Sequence, residues 1–381
     1  MSAVETSTEP AGSTMNSGNA TSGSTGGGSS GETPSSSTVA DSSIDSSTAA
    51  TGDGRDDAFE FGPFSLLGAN LSSAEFGADV LPGVHGTQYI YPDPAYVPGY
   101  EGPSYLAAEG MSSFRLPFRW ERLQPTLYAD FDAEEWDRLT TTVDSLLGLG
   151  SIVVLDPHNY ARYHGALIGS DEVPNDAFDD LWTRLAARYA GEPHVVFGLM
   201  NEPNTMPTEQ WIDAANGAIQ AIRAAGAPNL VLVPGNAWSN ASAWSQDWYG
   251  TPNAEALLDI VDPGDNFAIE VHNYFNDDAS NSDACISPTI GVERLEGVTA
   301  WLEEHELRGF VGEFSGNQAD ADCEAAVTGM LAHVHEHEVY LGWAWWAAGP
   351  WWNGTPFEWT TVEPIATGDN PKMQWLRPYL R

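Results

Sequence analysis

Eight continuously apolar runs punctuate the chain from residue 64 onward. They are FSLLGANL from Phe64, SSFRLPF from Ser112, SIVVLDPH from Ser151, HVVFGLMNE from His194, NLVLVPGN from Asn229, NFAIEVH from Asn266, RGFVGEF from Arg308 and YLGWAWWA from Tyr340. Continuous rather than alternating hydrophobicity marks strands buried on both faces, as in a parallel sheet. The runs recur at roughly 30 to 50 residues, room for a helix and two loops each. Helical periodicity fills the gaps. A segment starting near Asp176 puts Phe178, Leu181, Trp182, Leu185 and Tyr189 on one face. Another is predicted from an N-cap at Thr208 to Ala225, ahead of Gly226. Eight strands alternating with helices predict an α/β chain folded as an eight-stranded (β/α) TIM barrel, with an open doubly wound sheet as the alternative. The barrel is favoured because the runs close on Asn70, Arg115, His158, Glu202, Asn236, His272, Glu313 and Trp346. A barrel gathers such strand ends on one face, where active sites lie.

Residues 1–57 differ in kind. They are Ser, Thr, Gly and Ala with scattered acids, too poor in apolar side chains to form a core. A disordered tail or linker is expected there, of the sort that tethers an upstream module, with the folded unit over 58–381. No basic segment followed by an apolar one opens the chain, so no signal peptide is visible, and no run is long enough to span a membrane.

Charge narrows the choice of partners. Asp and Glu number 54 against 14 Lys and Arg, for a net charge of -40, and Lys372 is the only lysine. The first 57 residues hold 8 acids and 1 base, which leaves 46 acids and 13 bases in the remainder. Nucleic acid and anionic membranes are excluded as partners. A folded unit this acidic suggests adaptation to high salt, with an ordinary acidic secreted protein as the alternative. Cys285 and Cys323 are the two cysteines. They lie beyond strand-like segments and read as one disulfide of an extracellular protein, or else as two free thiols; they are too few for a zinc site.

Two of the runs deliver carboxylates: Glu202 in LMNEPN and Glu313 in VGEF. Cleavage of a glycosidic bond needs such a pair, one acid to protonate the leaving oxygen and one anion to attack or to activate water. The plainer reading of each is an exposed loop carboxylate. Arg115 and the Tyr274 hydroxyl are candidates to stabilise the anion. His158 and His272 each open an HNY triplet and read as hydrogen-bonding groups rather than metal ligands. HVHEHE at 333–338 reads as a solvated helix face. Of the 15 Trp, Trp136 and Trp182 fall at core spacing. Trp238, Trp244, Trp248, Trp345, Trp346, Trp351 and Trp352 sit in loop-like context, where sugar rings would stack on them. No GxSxG follows a strand-like run to form a nucleophile elbow, there is no GxxxxGK[ST] or HExxH, and neither cofactor nor metal is expected.

The strings GANLSSAEFG, SSFRLPFRWERLQP, LDPHNYARYHG, FGLMNEPN, PGNAWSNASAW, VHNYFNDDAS, VGEFSG and GWAWWAAGPWW together resemble glycoside hydrolase family 5, in its branch of secreted endo-β-1,4-glucanases. With a C-terminal KMQWLRPYL, the resemblance covers essentially all of residues 64–381 in order. The resemblance implies retaining hydrolysis of internal β-1,4-glucosidic bonds, with Glu202 as acid/base and Glu313 as nucleophile. It carries over Arg115, His158, Asn201, His272, Tyr274 and Trp346, with Asn201 on the sugar 2-hydroxyl and Trp346 as the floor of the site; Trp238 is read as a further substrate-binding residue. It also implies a Cys285–Cys323 disulfide and a secreted monomer acting on β-glucan. Alternatives are the same chemistry on mannan, xyloglucan or mixed-linkage glucan, and a barrel that binds polysaccharide without cleaving it. The acidic surface departs from the resemblance.

Overall fold

All eight apolar runs become strands of one closed parallel barrel. They are β1 (Leu66–Leu71), β2 (Ser113–Phe118), β3 (Ile152–Pro157), β4 (Val195–Gly198), β5 (Val231–Pro234), β6 (Phe267–His272), β7 (Gly309–Glu313) and β8 (Tyr340–Ala348). Each pairs with the next, and β8 closes on β1 with Leu66 opposite Gly342. The computed structural model describes residues 60–380 apart from 353–354, 356–357 and 366–367. The tail expected over 1–57 lies outside the described residues.

Strand side chains alternate between two cores, as period two requires. Leu66, Val154, Val196, Leu232, Ala268 and Phe310 fill the barrel interior. Their chain neighbours, such as Leu67, Val153, Leu155, Val231 and Ile269, face the surrounding helices. These are α1 (Gly102–Ala108), α2 (Ala133–Gly148), α3 (Asn175–Tyr189), α4 (Thr208–Ala224), α5 (Ile290–Glu304) and α6 (Ala321–Glu336). The predicted face of α3 is fully buried at Phe178, Leu181, Trp182, Leu185 and Tyr189. Thr208 is the first residue of α4 rather than its cap; Pro207 takes the cap position. Proline has no side-chain acceptor, so the helix starts without a side-chain cap bond. Between β5 and β6 only one short α-turn forms, Asn253–Ala256, so the regular alternation lapses there.

Cys285 and Cys323 form the expected disulfide, with Cα atoms 5.2 Å apart, although Cys323 lies in the first turn of α6 and not beyond a strand. It closes a separation of 38 residues, which contributes roughly 3–4 kcal/mol by restricting the unfolded chain. The histidines of HVHEHE are half-buried and partnered, contrary to a solvated face. His333 meets the Thr299 hydroxyl at 2.8 Å, His335 stacks on Phe64, and His337 pairs with Glu303 at 2.6 Å. His333 and His337 also pack ring against ring, with centroids 4.5 Å apart. Lys372 is buried, and its Nζ donates to the Trp359 carbonyl at 2.7 Å. Burial lowers its pKa to about 8 against the pull of Glu358. No helix among the described residues is long and apolar enough to cross a membrane.

Candidate active site

Toward the carboxyl ends of the strands the barrel interior turns from apolar to polar. β1 supplies Asn70, β2 Arg115, β3 Asp156 and β6 Glu270, all buried. Arg115 is not a strand-end residue; it is the third residue of β2 and enters the site from within the barrel. Its Nη1 lies 2.8 Å from Asp156 Oδ2 and donates to Asn70 Oδ1 at 2.9 Å and to Glu313 Oε1 at 3.0 Å. Nη2 donates to Asn201 Oδ1 at 2.8 Å. Nε stands 3.1 Å from Glu270 Oε1, an ion pair without hydrogen-bond alignment. Burial disfavours the guanidinium charge, but Asp156, Glu270, Glu313 and Glu202 outweigh it and hold the charge in place.

Glu313 closes β7. Its Oε2 accepts the Tyr274 hydroxyl at 2.7 Å, so both groups expected beside the anion reach it, one on each oxygen. Glu202 stands just beyond β4 with φ 43°, in the left-handed region. A non-glycine residue stays there only where its surroundings enforce it. Three hydrogen bonds do so: Asn201 N to Pro157 O at 2.9 Å, Asn204 Nδ2 to Glu202 O at 3.0 Å, and Trp238 N to Pro203 O at 3.0 Å.

His272 bridges the carboxylates. Nδ1 is 2.7 Å from Glu202 Oε1 and 3.7 Å from Glu313 Oε2; Nε2 is 3.1 Å from Glu270 Oε1. Burial opposes its charge, yet Glu313 and the bonds to Glu202 and Glu270 push the imidazole up to about 10. One side-chain atom from each of Glu202, His272 and Glu313 lies within 4.8 Å of the others, a spacing that would span a small cation. A charged imidazole with both nitrogens donating has no lone pair for one.

His158 behaves in the opposite way. Burial lowers it to about 3, so the ring stays neutral. Because Arg115 donates to Asn201 Oδ1, the amide nitrogen of Asn201 faces His158 Nε2, at 3.1 Å. Nε2 must then be the bare nitrogen, and the ring hydrogen sits on Nδ1, directed at Asp156 Oδ2 2.7 Å away. In both HNY triplets the asparagine points away from the site. Asn159 Oδ1 accepts Trp120 N at 2.9 Å, and Asn273 Nδ2 donates to Gly291 O at 2.8 Å. Asn236, expected among the converging ends, instead braces α4 through Met206 O at 2.8 Å and the Thr208 hydroxyl.

The indoles divide by strand position. Trp346, half-buried on β8, stacks on His158 with ring centroids 5.4 Å apart, and Trp238 is 38% exposed beside the Glu202 loop. Trp244 and Trp345 are core residues, buried at 3% and 0% exposure, so neither can stack on a sugar. Alternation along β8 decides the second case: Trp345 and Trp346 are chain neighbours and face opposite ways. Asp156 and Glu270 are the site residues not foreseen from sequence. A carboxylate inside an apolar run, two residues before His in each HNY triplet, was the available signal, because residues two apart on a strand share a face.

The chain matches the cellulase family, glycosyl hydrolase family 5, over residues 98–350. It is 38% identical to endoglucanase gh5-1 of Neurospora crassa over 322 residues, 84% of this chain and 78% of the relative. Among solved structures, an endo-β-1,4-glucanase from Xanthomonas axonopodis pv. citri is 40% identical with a TM-score of 0.78, covering 82% of this chain and 98% of its own. XacCel5A in complex with cellopentaose is 41% identical at the same TM-score of 0.78, covering 83% and 99%. With barrel, carboxylate pair and relatives in agreement, the chain belongs to glycosyl hydrolase family 5.

Proposed function

We propose that the protein is a retaining endo-glycosidase that hydrolyses internal β-1,4-glucosidic bonds. The observation that carries the mechanism is the approach of the two carboxyl groups to within 4.8 Å. Retaining enzymes hold the pair about 5–5.5 Å apart, whereas inverting ones leave roughly 6.5–9.5 Å for a water molecule. Relatives named as endo-β-1,4-glucanases, one of them bound to cellopentaose, support cellulose-type glucan over mannan or xyloglucan.

In this reading Glu313 attacks the anomeric carbon while Glu202 protonates the departing oxygen. Glu202 then takes a proton from water, which releases the sugar with its configuration retained. Both oxygens of Glu313 already accept hydrogen bonds, so it is the anion of the pair; Glu202 has its Oε1 against His272, and its side chain is the more exposed of the two. Asn201, fixed by Arg115 and His158, keeps one amide hydrogen for a sugar hydroxyl, and Trp346 offers its face as the floor. The disulfide fits action outside the cell. The first-formed sugar, followed by NMR on cello-oligosaccharides, is expected to be the β-anomer. An α-anomer appearing first would remove the nucleophile role from Glu313. Parallel assays on soluble cellulose, mannan and xylan test the substrate.

Acid–base behaviour follows from the same pair. Burial pushes the Glu313 carboxyl up to about 7, against the pull of His272 and Arg115. Glu313 attacks only as the carboxylate. Lowering the pH protonates it, so kcat/KM is expected to fall about tenfold per unit below roughly pH 7. A rate that stays level down to pH 5 rules this out.

The acidic surface is read as salt adaptation. The Debye length shrinks from about 30 Å at 0.01 M salt to about 3 Å at 1 M, which quenches repulsion among the 46 carboxylates of residues 58–381. The melting temperature is expected to climb with NaCl while initial rates change little. A melting temperature indifferent to salt would leave an ordinary acidic enzyme.

A further inference from the structure

We propose that Glu270 is a positioning residue for the acid/base: it holds His272 by Nε2, so that the imidazole presents its Nδ1 hydrogen to Glu202 throughout the cycle. The proposal rests on the carboxylate-pair reading given above and deepens it.

Geometry carries the argument. Glu270, His272 and Glu202 form one line of contacts, 3.1 Å from Glu270 Oε1 to Nε2 and 2.7 Å from Nδ1 to Glu202 Oε1. Glu270 is 1% exposed and lies below His272 on the same inward face of β6, so substrate does not reach it. Its position is fixed from three sides. Arg115 Nε stands 3.1 Å from Oε1, and His272 bonds the same oxygen. On the third side is Gly312, the residue before Glu313, where an added Cβ would come within 2.3 Å of Glu270 Oε1. Any larger residue at 312 would push the carboxylate out of line. The φ of Gly312 is not positive, so the space taken by Glu270 is what demands glycine there.

The second histidine supplies an internal comparison. Asp156 stands to His158 as Glu270 stands to His272, two residues earlier on its strand and 2.7 Å from a ring nitrogen. Yet His158 meets an amide, Asn201, on its other nitrogen, whereas His272 meets Glu202 and has Glu313 at 3.7 Å. The charged groups facing His272 are therefore Glu270, Glu202 and Glu313, with Arg115 and Asp156 behind them. A neutral imidazole donates through one nitrogen only and could not donate to Glu270 and to an ionised Glu202 together. An imidazolium can. When Glu202 has given up its proton, that Nδ1–H stabilises the carboxylate left behind and keeps it aimed at the site of water attack.

The experiment uses the full chain and reads both the ring and the rate. In the wild type at pH 7, the histidine ¹⁵N spectrum is expected to show His272 protonated on both nitrogens; a neutral ring there would overturn the proposal without any variant. Glu270→Gln should bring His272 into titration between pH 5 and 8. It should also lower kcat by about 10- to 100-fold, the range found when an outer partner orienting an imidazole is lost, while KM for cellopentaose changes less than about twofold. Gly312→Ala, which displaces Glu270 without altering its charge, should lower kcat in the same direction. In a His272→Asn background, Glu270→Gln should add less than about twofold. Losses that multiply in that background, or a KM rise with kcat intact, would show that Glu270 acts by another route. A wild type unable to cleave cellopentaose would instead refute the glucanase reading, and the ¹⁵N result would still stand on its own.

Discussion

Glu313→Ala is expected to abolish turnover, by roughly ten-thousand-fold or more, while the barrel stays folded. In the proposed mechanism no neighbour can replace this nucleophile: Glu202 serves the leaving oxygen, and Asp156 and Glu270 lie below the site at 1% exposure. Folding should survive because Arg115 retains Asp156 and Glu270 as counter-charges, and one of four crowded carboxylates is gone. A small external anion supplies the missing attack, so azide should restore activity and yield the α-glycosyl azide. Glu202→Ala should differ in kind. Substrates with activated aryl leaving groups need little protonation and should lose least, while glucan loses most. Equal losses on both substrates, or azide rescue yielding a β-azide from Glu313→Ala, would exchange or dissolve the two roles.

Arg115→Met is expected to be the most destabilising single change in the site, by about 3–5 kcal/mol. Methionine fills much the same volume but leaves Asp156, Glu270 and Glu313 buried together without their cation. Asn70 Oδ1 and Asn201 Oδ1 also lose a donor. The deficit should depend on pH in a definite direction. Asp156 and Glu313 are already raised to about 7 by burial, and without Arg115 the folded-state carboxylate pKa values rise further, so the added penalty is full at neutral pH and shrinks as falling pH protonates them. Denaturant midpoints for wild type and variant at pH 7.5 and pH 5 would show the gap closing. An unchanged gap would mean that lost packing, not stranded charge, sets the cost.

Much of this architecture is legible in the chain because parallel strands are uniformly apolar and their ends are not. β1 to β8 announce themselves for that reason, and so do Glu202, Glu313, His158 and His272. The missing helix after β5 was not legible: the 235–265 stretch carries several tryptophans whose context looks polar although Trp244 is buried at 3%. Asp156 and Glu270 escaped because buried acids pass for interruptions of a hydrophobic run until their partner is known. Their partner is Arg115, which a strand-end reading puts on the rim although it sits in the middle of β2. Composition told of charge but not of its placement; the same carboxylate is a solvating group on α2 and a fixed electrostatic part in the barrel interior.

Lys372 brings one further consequence. The chain's single ammonium side chain is folded away, its Nζ bound to the Trp359 carbonyl. The native barrel therefore offers no lysine to acylating labels, aldehyde fixatives or amine-coupled resins, and trypsin has only arginines to cut at. Appearance of label on Lys372 reports loss of the C-terminal closure of the barrel, a built-in footprinting probe that needs no engineered residue.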